Sequence, residues 1–409
     1  MSSELYCDLR HGLRQSRDRL REVTARLCVQ SALAGRSMPS RLLITSSQLG
    51  QCHGTGVLLS RIFRPGDVFS IVTHLDHYED GPFPMVHATD VRFHRESAGA
   101  LLRRIAGLGC DAGALVVPHF PEEVRLALLL RELTGMPLAT WVMDDSVLET
   151  HRISRAEMDR LFAESAVRFV ISPEMASDYA REFGKSFEVL PPTVSRREMR
   201  SFASAPESSE QATVIMLLGS MWNEDWIPAL RSLLLASGLT ADWYGSHPPD
   251  YGGALRDSIR PHGFVSEDEL VAAVAGCAFA IVPTGSGLED DRLKGLTRWS
   301  LPSRLVYLVA ACRLPVLVIG SECSCAASFV RSLGVGLVCN YEAGAFASAV
   351  ESMRDRVQNL EFRKRCVEVA PDFVSDGLDR WIWDSMELGR AVDVRFSKVF
   401  CKALDPVLT

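Results

Sequence analysis

Three features of this sequence predict an α/β protein of two Rossmann-like domains that face a cleft. From Arg41 onward, short β-branched or apolar runs alternate with helical patterns. A stretch from 195 to 211, rich in Ser, Arg, Glu and Ala and poor in large apolar residues, interrupts the alternation. A second alternating series then starts at Thr213. Strand, helix, strand in sequence calls for a parallel sheet covered on both faces, whose ligands lie beyond the carboxyl ends of the strands.

Residues 1–40 read as an N-terminal amphipathic helical segment. Leu5, Leu9, Leu13, Leu20, Val23 and Leu27 recur mostly at three- and four-residue spacing, with arginines on the other faces. Such a helix docks on the first domain, or makes peripheral contact with an acidic membrane surface or a partner. Glu4, Asp8, Asp18 and Glu22 weaken the membrane version. Residues 41–195 form the first domain, with strands at Leu42–Thr45, Val68–Val72, Ala114–Val117, Leu138–Met143 and Phe169–Ile171. Helices are expected from about Gly54 and through 121–134. Residues 196–212 have a linker composition. Residues 213–372 form the second domain, with strands at Thr213–Leu218, Ala241–Tyr244, Phe279–Val282, Val316–Ile319 and Gly336–Val338. Residues 373–409 carry Trp381, Ile382, Trp383, Met386 and Leu388 at helical spacing and read as a bridging helix and tail.

The 409 residues suffice for large cores, and 47% apolar and 23% charged content are ordinary for a globular protein. A net charge of -7 argues against a general nucleic-acid binder. No apolar run reaches the roughly 18 residues of a membrane-spanning helix, and the N-terminus lacks the apolar core of a secretory signal. The eleven cysteines are odd in number and scattered, as at Cys277, Cys312 and Cys339, which fits reduced thiols in a cytoplasmic protein. Cys323 and Cys325 are too close for a zinc knuckle, so no metal site is expected.

The candidate functional residues fall in loops that follow strands. In the first loop, Gly54 and Gly56 open a helix and allow close backbone approach, and His53 offers a base or a hydrogen-bond donor. The spacing is not that of a dinucleotide fingerprint, so no nicotinamide or flavin cofactor is implied. Asp144 and Asp145 follow an apolar strand, where paired carboxylates accept hydrogen bonds from hydroxyls, act as a base, bind a divalent cation, or cap a helix. Ser172 caps a helix with Pro173 in its first turn. In the second half, Gly219 and Ser220 end the first strand. The loop after Val282, with Thr284, leads to Trp299-Ser300-Leu301-Pro302-Ser303-Arg304. This is a helix start that suits an anion, with Arg304 in the first turn and Lys294 and Arg298 just upstream.

In their order these features resemble the GT-B glycosyltransferases, in particular the family 4-like (group 1) proteins. The matching segments are Ile171-Ser172-Pro173-Glu174-Met175, Val189-Leu190-Pro191-Pro192, Leu218-Gly219-Ser220, His262-Gly263-Phe264-Val265, and Pro302-Ser303-Arg304-Leu305 through Pro315-Val316. The resemblance implies that the second domain binds a nucleoside-diphosphate sugar as co-substrate, and the first a saccharide, lipid-linked or small-molecule acceptor. It implies base contacts at the loop of Gly263 and Phe264, and diphosphate contacts at Ser303 and Arg304 without a metal. Two departures stand out. The family's second glutamate, at the start of this helix, has no counterpart among Val306, Tyr307 and Leu308. The glycine before the Pro-Val strand is replaced by Cys312-Arg313. The expected activity is a hexosyltransferase of the kind that serves polysaccharide biosynthesis. The alternatives are a non-catalytic GT-B protein that binds a sugar nucleotide or a partner enzyme, and a sugar-nucleotide epimerase.

Overall fold

The continuous apolar runs become strands buried on both faces, which is why they lack the polar alternation of a half-exposed strand. The computed structural model describes residues 41–50, 54–74, 82–83, 85–87, 112–202, 214–220, 226–245, 257–285 and 294–401. The expected helix within 1–40, His53 and the side chain of Lys294 lie outside the described part.

The first series runs β1 (Arg41–Thr45), α1 (Gly54–Ile62), β2 (Phe69–Val72), β3 (Met85–His87), β4 (Gly113–Val116), α2 (Pro121–Thr134), β5 (Leu138–Val142), α3 (Arg155–Glu164), β6 (Ser165–Val170), α4 (Pro173–Phe183), β7 (Glu188–Val189) and α5 (Arg196–Ser201). The second runs β8 (Val214–Leu218), α6 (Trp226–Ala236), β9 (Thr240–Tyr244), β10 (Ile259–Gly263), α7 (Glu267–Ala275), β11 (Ala280–Pro283), α8 (Lys294–Trp299) and α9 (Ser303–Val306). A π-helical turn (Tyr307–Ala311) leads to β12 (Val316–Ile319), α10 (Cys325–Leu333), β13 (Gly336–Cys339), α11 (Ala343–Arg354) and α12 (Arg356–Val369). A 3₁₀ turn (Ala370–Phe373), α13 (Leu378–Leu388) and α14 (Arg395–Cys401) follow.

The strand orders are β3-β2-β1-β4-β5-β6-β7 and β10-β9-β8-β11-β12-β13. Both are doubly wound, and each reverses direction beside its first strand, between β1 and β4 and between β8 and β11. Such switch points open a crevice at the carboxyl ends of the strands. The pairs β1–β2, β1–β4, β8–β9 and β8–β11 are parallel. The strands missed by the sequence reading are short or at an edge. One is β10, where an exposed Pro261 is tolerated because the outer side of an edge strand needs no ladder donor.

Among the described residues, 41–142, 146–169 and 379–392 form one compact unit. Residues 143–145, 170–378 and 393–401 form the other. The units exchange segments that a linear division at 195 and 373 keeps together. In the first unit, α13 sets Trp383 5.6 Å from Phe63 and Trp381 5.3 Å from Phe169. Gly113 makes room for it, since a Cβ there would lie 2.1 Å from the Met386 side chain. In the second unit, Ile215, Leu217, Leu230, Trp243, Phe279, Ile281, Leu317 and Phe346 share one buried core. Full burial of each contributes roughly 1.5–3 kcal/mol. Phe400 of α14 packs 6.4 Å from Phe373 in this same unit.

Helix starts follow their caps. Ser172 accepts from the Met175 N–H with Pro173 in the first turn, as its sequence implies. Ser195 and Glu198 form a capping box, so 196–201 is a helix within the stretch read as a linker. The described part of that stretch is polar because α5 buries none of its residues.

Candidate functional site

At the carboxyl ends of β8, β9 and β10, glycine replaces side chain with backbone. Gly219, Gly245 and Gly263 have φ of 81°, 136° and 71°, where other residues are strained. The Gly219 N–H donates to the Tyr244 carbonyl and the Gly245 N–H to the Gly263 carbonyl, both at 2.8 Å. A Cβ on Gly245 would lie 2.9 Å from the Gly219 Cα, so these turns stack only without side chains. The Trp243 indole donates to the Gly219 carbonyl at 2.7 Å and holds the turn. Phe264 follows and is 65% exposed, a large apolar face beside bare backbone. His262 stacks on Tyr244 at 4.5 Å, with its Nε2 3.0 Å from Asp242.

Across the switch point, the Thr284 hydroxyl donates to the Ile319 carbonyl at 3.1 Å, and the Tyr341 hydroxyl donates to the Thr284 carbonyl at 2.8 Å. Gly320 is required here, because a Cβ would sit 2.1 Å from the Thr284 Oγ1. Arg304, from the first turn of α9, links the two sides. Its guanidinium donates to the carbonyl of Ser220 and, at 3.3 Å, to that of Pro283. Burial pushes its pKa down to about 10, still leaving a cation at neutral pH. The two carbonyls fix the orientation of the guanidinium. Ser303 opens α9, and no side chain caps this terminus.

The other expected cations stand differently. Arg298 pairs with Asp178 at 2.7 Å, and Asp178 also accepts from the Trp299 indole at 2.8 Å and from Arg181 at 2.6 Å. Burial alone would raise the Asp178 carboxyl, but Trp299, Arg298 and Arg181 together hold it below its ordinary value. Of Lys294, only the backbone position at the start of α8 is described.

The carboxylate pair after β5 divides. Asp145 is fully buried and accepts from the Tyr179 hydroxyl at 2.7 Å, while Asp144 stays half-buried. Tyr179 meets the Trp299 ring edge-on at 6.4 Å, and Ser172 donates to the Trp299 carbonyl at 2.6 Å. Asp145 and Ser172 therefore anchor α8 within the second unit.

In the first unit, a polar cluster occupies the β1–β4 switch point. Gly56 is obligatory, since a Cβ would lie 2.2 Å from the Gln48 carbonyl, whereas Gly54 has open space. The Thr55 hydroxyl lies 3.1 Å from the His119 Nε2. Glu123, fully buried, accepts from the Thr73 hydroxyl, from the His119 N–H at 3.1 Å and from the Phe120 N–H at 2.6 Å. His74 stacks on Phe120 at 4.1 Å, with its Nδ1 3.7 Å from Glu123. Burial pushes the Glu123 carboxyl up to about 7, against the lowering by those hydrogen bonds. Sequence reading missed this cluster. Its only local signal is Pro118-His119 after a strand, followed by Glu123 in a helix's first turn.

Among the described residues, no group of three or more His, Cys, Asp or Glu is arranged to hold a metal ion. None of their helices is long and apolar enough to cross a membrane. Burial raises the thiols of Cys277 to about 11 and of Cys339 to about 12, which makes them inert.

No protein-family model and no curated protein matches this sequence. Solved structures do. Anabaena Alr3699/HepE in complex with UDP and glucose superposes with a TM-score of 0.60 at 13% identity, over 85% of this chain and 99% of that one. The lipopolysaccharide outer core galactosyltransferase WaaB gives 0.59 at 11% identity, over 85% and 99%. The α,α-trehalose 6-phosphate synthase of Burkholderia multivorans gives 0.57 at 11%, over 86% and 96%. This chain has the GT-B fold. In the turn of Val306, Tyr307 and Leu308, where the resemblance implies a second glutamate, Tyr307 meets Phe202 edge-on at 5.9 Å. The helix turns π-helical there, with the Cys312 N–H reaching the Tyr307 carbonyl at 3.1 Å. Such turns are rare and frequent at functional sites.

Proposed function

We propose that this protein is a glycosyltransferase that moves a hexose-type sugar from a nucleoside-diphosphate sugar to a saccharide, lipid-linked or small-molecule acceptor. The observation that carries the reading is Arg304, a half-buried cation held by two carbonyls at the switch point of the second sheet. The departing nucleoside diphosphate gains negative charge, and a preoriented cation beside an uncapped helix start stabilises it with no reorganisation. Lys294 adds charge from the preceding helix. Gly219, Ser220 and Gly263 let backbone approach the nucleotide, Phe264 offers a face for the base, and Thr284 and Ser303 offer hydroxyls. No resident metal or cofactor is invoked.

The first unit takes the acceptor at the start of α1, where Gly54 and Gly56 leave backbone bare and Thr55 and His119 stand beside it, and His53 is the residue that precedes it in sequence. We assign proton transfer to Asp144, which follows β5 and is half-buried, whereas its neighbour Asp145 is fully buried. The similar Anabaena protein was solved with UDP-glucose, which makes that the first donor to test.

The test is a donor screen by mass spectrometry. Purified protein is incubated with each nucleotide sugar without acceptor, and released nucleoside diphosphate is measured beside the shift in Tm. Slow hydrolysis of one donor supports a transferase. Stabilisation without hydrolysis would mark a binding protein, and an epimerised sugar an epimerase. No shift with any nucleotide overturns the reading.

A further inference from the structure

A pocket of about 340 Å³ opens on the second unit between α5, the 3₁₀ turn and α14. It lies at the amino end of β12, the opposite end of the sheet from Thr284 and Gly320. Among the described residues, four arginines, Arg196, Arg200, Arg313 and Arg395, line it against a single carboxylate, Asp376. Arg196 is paired with that carboxylate at 2.5 Å. Among these described lining residues positive charge is in surplus; Met199, Pro371 and Val374 complete the lining, and Arg395 donates to the Val374 carbonyl.

Arg313 gives independent evidence. Its φ of 54° lies in the left-handed region, one of two non-glycine residues so placed among the described residues. Its Nε is buried with no hydrogen-bond partner. A strained backbone and an unsatisfied buried donor both cost stability, and such features persist at sites where a ligand completes them. A guanidinium with further arginines nearby fits planar, multiply charged oxyanions.

We propose that this pocket binds a phosphoryl-bearing anion through Arg313, Arg200 and Arg395, at a site separate from the one at Arg304. The phosphoryl group belongs to a soluble metabolite or to a lipid headgroup, and the two sources are separable by experiment.

Calorimetry of the full chain with sodium pyrophosphate is the test, alongside co-sedimentation with phosphatidylglycerol or phosphatidylcholine vesicles. Arg313→Gly removes the guanidinium and suits the positive φ, so it is expected to keep the Tm. It should weaken pyrophosphate binding about 10- to 100-fold, the worth of a hydrogen bond to a charged group. Pyrophosphate also suits the site at Arg304, so Arg304→Ala is expected to leave in place the binding component that Arg313→Gly weakens. Co-sedimentation with the anionic vesicles alone, competed by pyrophosphate, assigns the site to a headgroup, and its absence assigns it to a soluble ligand. Should Arg313→Gly fail to fold, the Arg200→Gln, Arg395→Gln double variant makes the same comparison. No binding of pyrophosphate or anionic vesicles overturns the proposal. So does affinity untouched by the pocket variants, or lost only in Arg304→Ala, which would place the anion at the other site.

Discussion

Arg304 donates to the backbone carbonyl of Ser220, and in doing so ties the first turn of α9 to the end of β8. Its second bond, to Pro283, reaches the end of β11, so one side chain spans the point where the strand order reverses. Strands that diverge leave a crevice between their ends, and here a cation is fixed in it.

The bond geometry makes Arg304 the first residue to test. Arg304→Ala should reduce UDP-glucose affinity by about 10- to 100-fold, read by calorimetry, with the far-UV spectrum unchanged. Arg304→Lys keeps the charge but cannot reach both carbonyls, so it should restore only part of the loss. Equal affinity in all three proteins would remove the donor assignment.

The two adjacent carboxylates should separate cleanly. Tyr179→Phe takes a donor from the buried Asp145 and is expected to lower stability by about 1–3 kcal/mol in urea unfolding. Asp144→Asn should lower kcat by about 10²- to 10⁴-fold, whereas Tyr179→Phe should leave kcat within about 10-fold. The reverse pattern would exchange the roles of the pair.

Glu123 predicts a pH dependence of stability. Its carboxyl is raised from 4.5 to about 7, so the folded state binds the proton more tightly than the unfolded chain does. Stability therefore falls as the pH rises from about 4.5 to about 7, by on the order of 3 kcal/mol, and levels off above. Glu123→Gln stays neutral and keeps an acceptor for the His119 and Phe120 N–H groups. Its Tm should match the parent's near pH 5 and exceed it near pH 8. Glu122 and His74 remain in both proteins, so the difference reports the titration of Glu123 together with its coupling to these neighbours. A constant difference across that range would refute the assignment.

Gly320→Ala should be severe for its size. The new methyl would lie 2.1 Å from the Thr284 Oγ1 on a backbone with φ of 148°. Overpacking of this kind costs about 1–3 kcal/mol. Displacing Thr284 should also raise KM for the donor, whereas Gly54→Ala, which meets nothing within 4 Å, should change neither.

Much of the fold was legible because buried parallel strands are written as uninterrupted apolar runs. Val316–Ile319 and Leu138–Val142 are read directly. β7 has only two residues, and β10 carries an arginine, a proline and a histidine, so neither shows that pattern. The local geometry of the candidate site was legible where a loop motif decides it, as with Gly219, Gly263 and the Pro302–Arg304 helix start. It was not legible where partners come from distant segments. Arg298 looks like a free cation until Asp178, 120 residues away, is folded against it.

Local chemistry thus determined the strands, the capped helices and the placement of glycines and cations in loops after strands, because these depend on neighbours a few residues apart. Only the tertiary structure decided which side chains became tools and which became fasteners. Burial and partner choice are set by segments that meet across a sheet end. For that reason Asp145 was drawn to Tyr179, Glu123 was enclosed at the first switch point, and Arg313 was held at positive φ beside three other arginines.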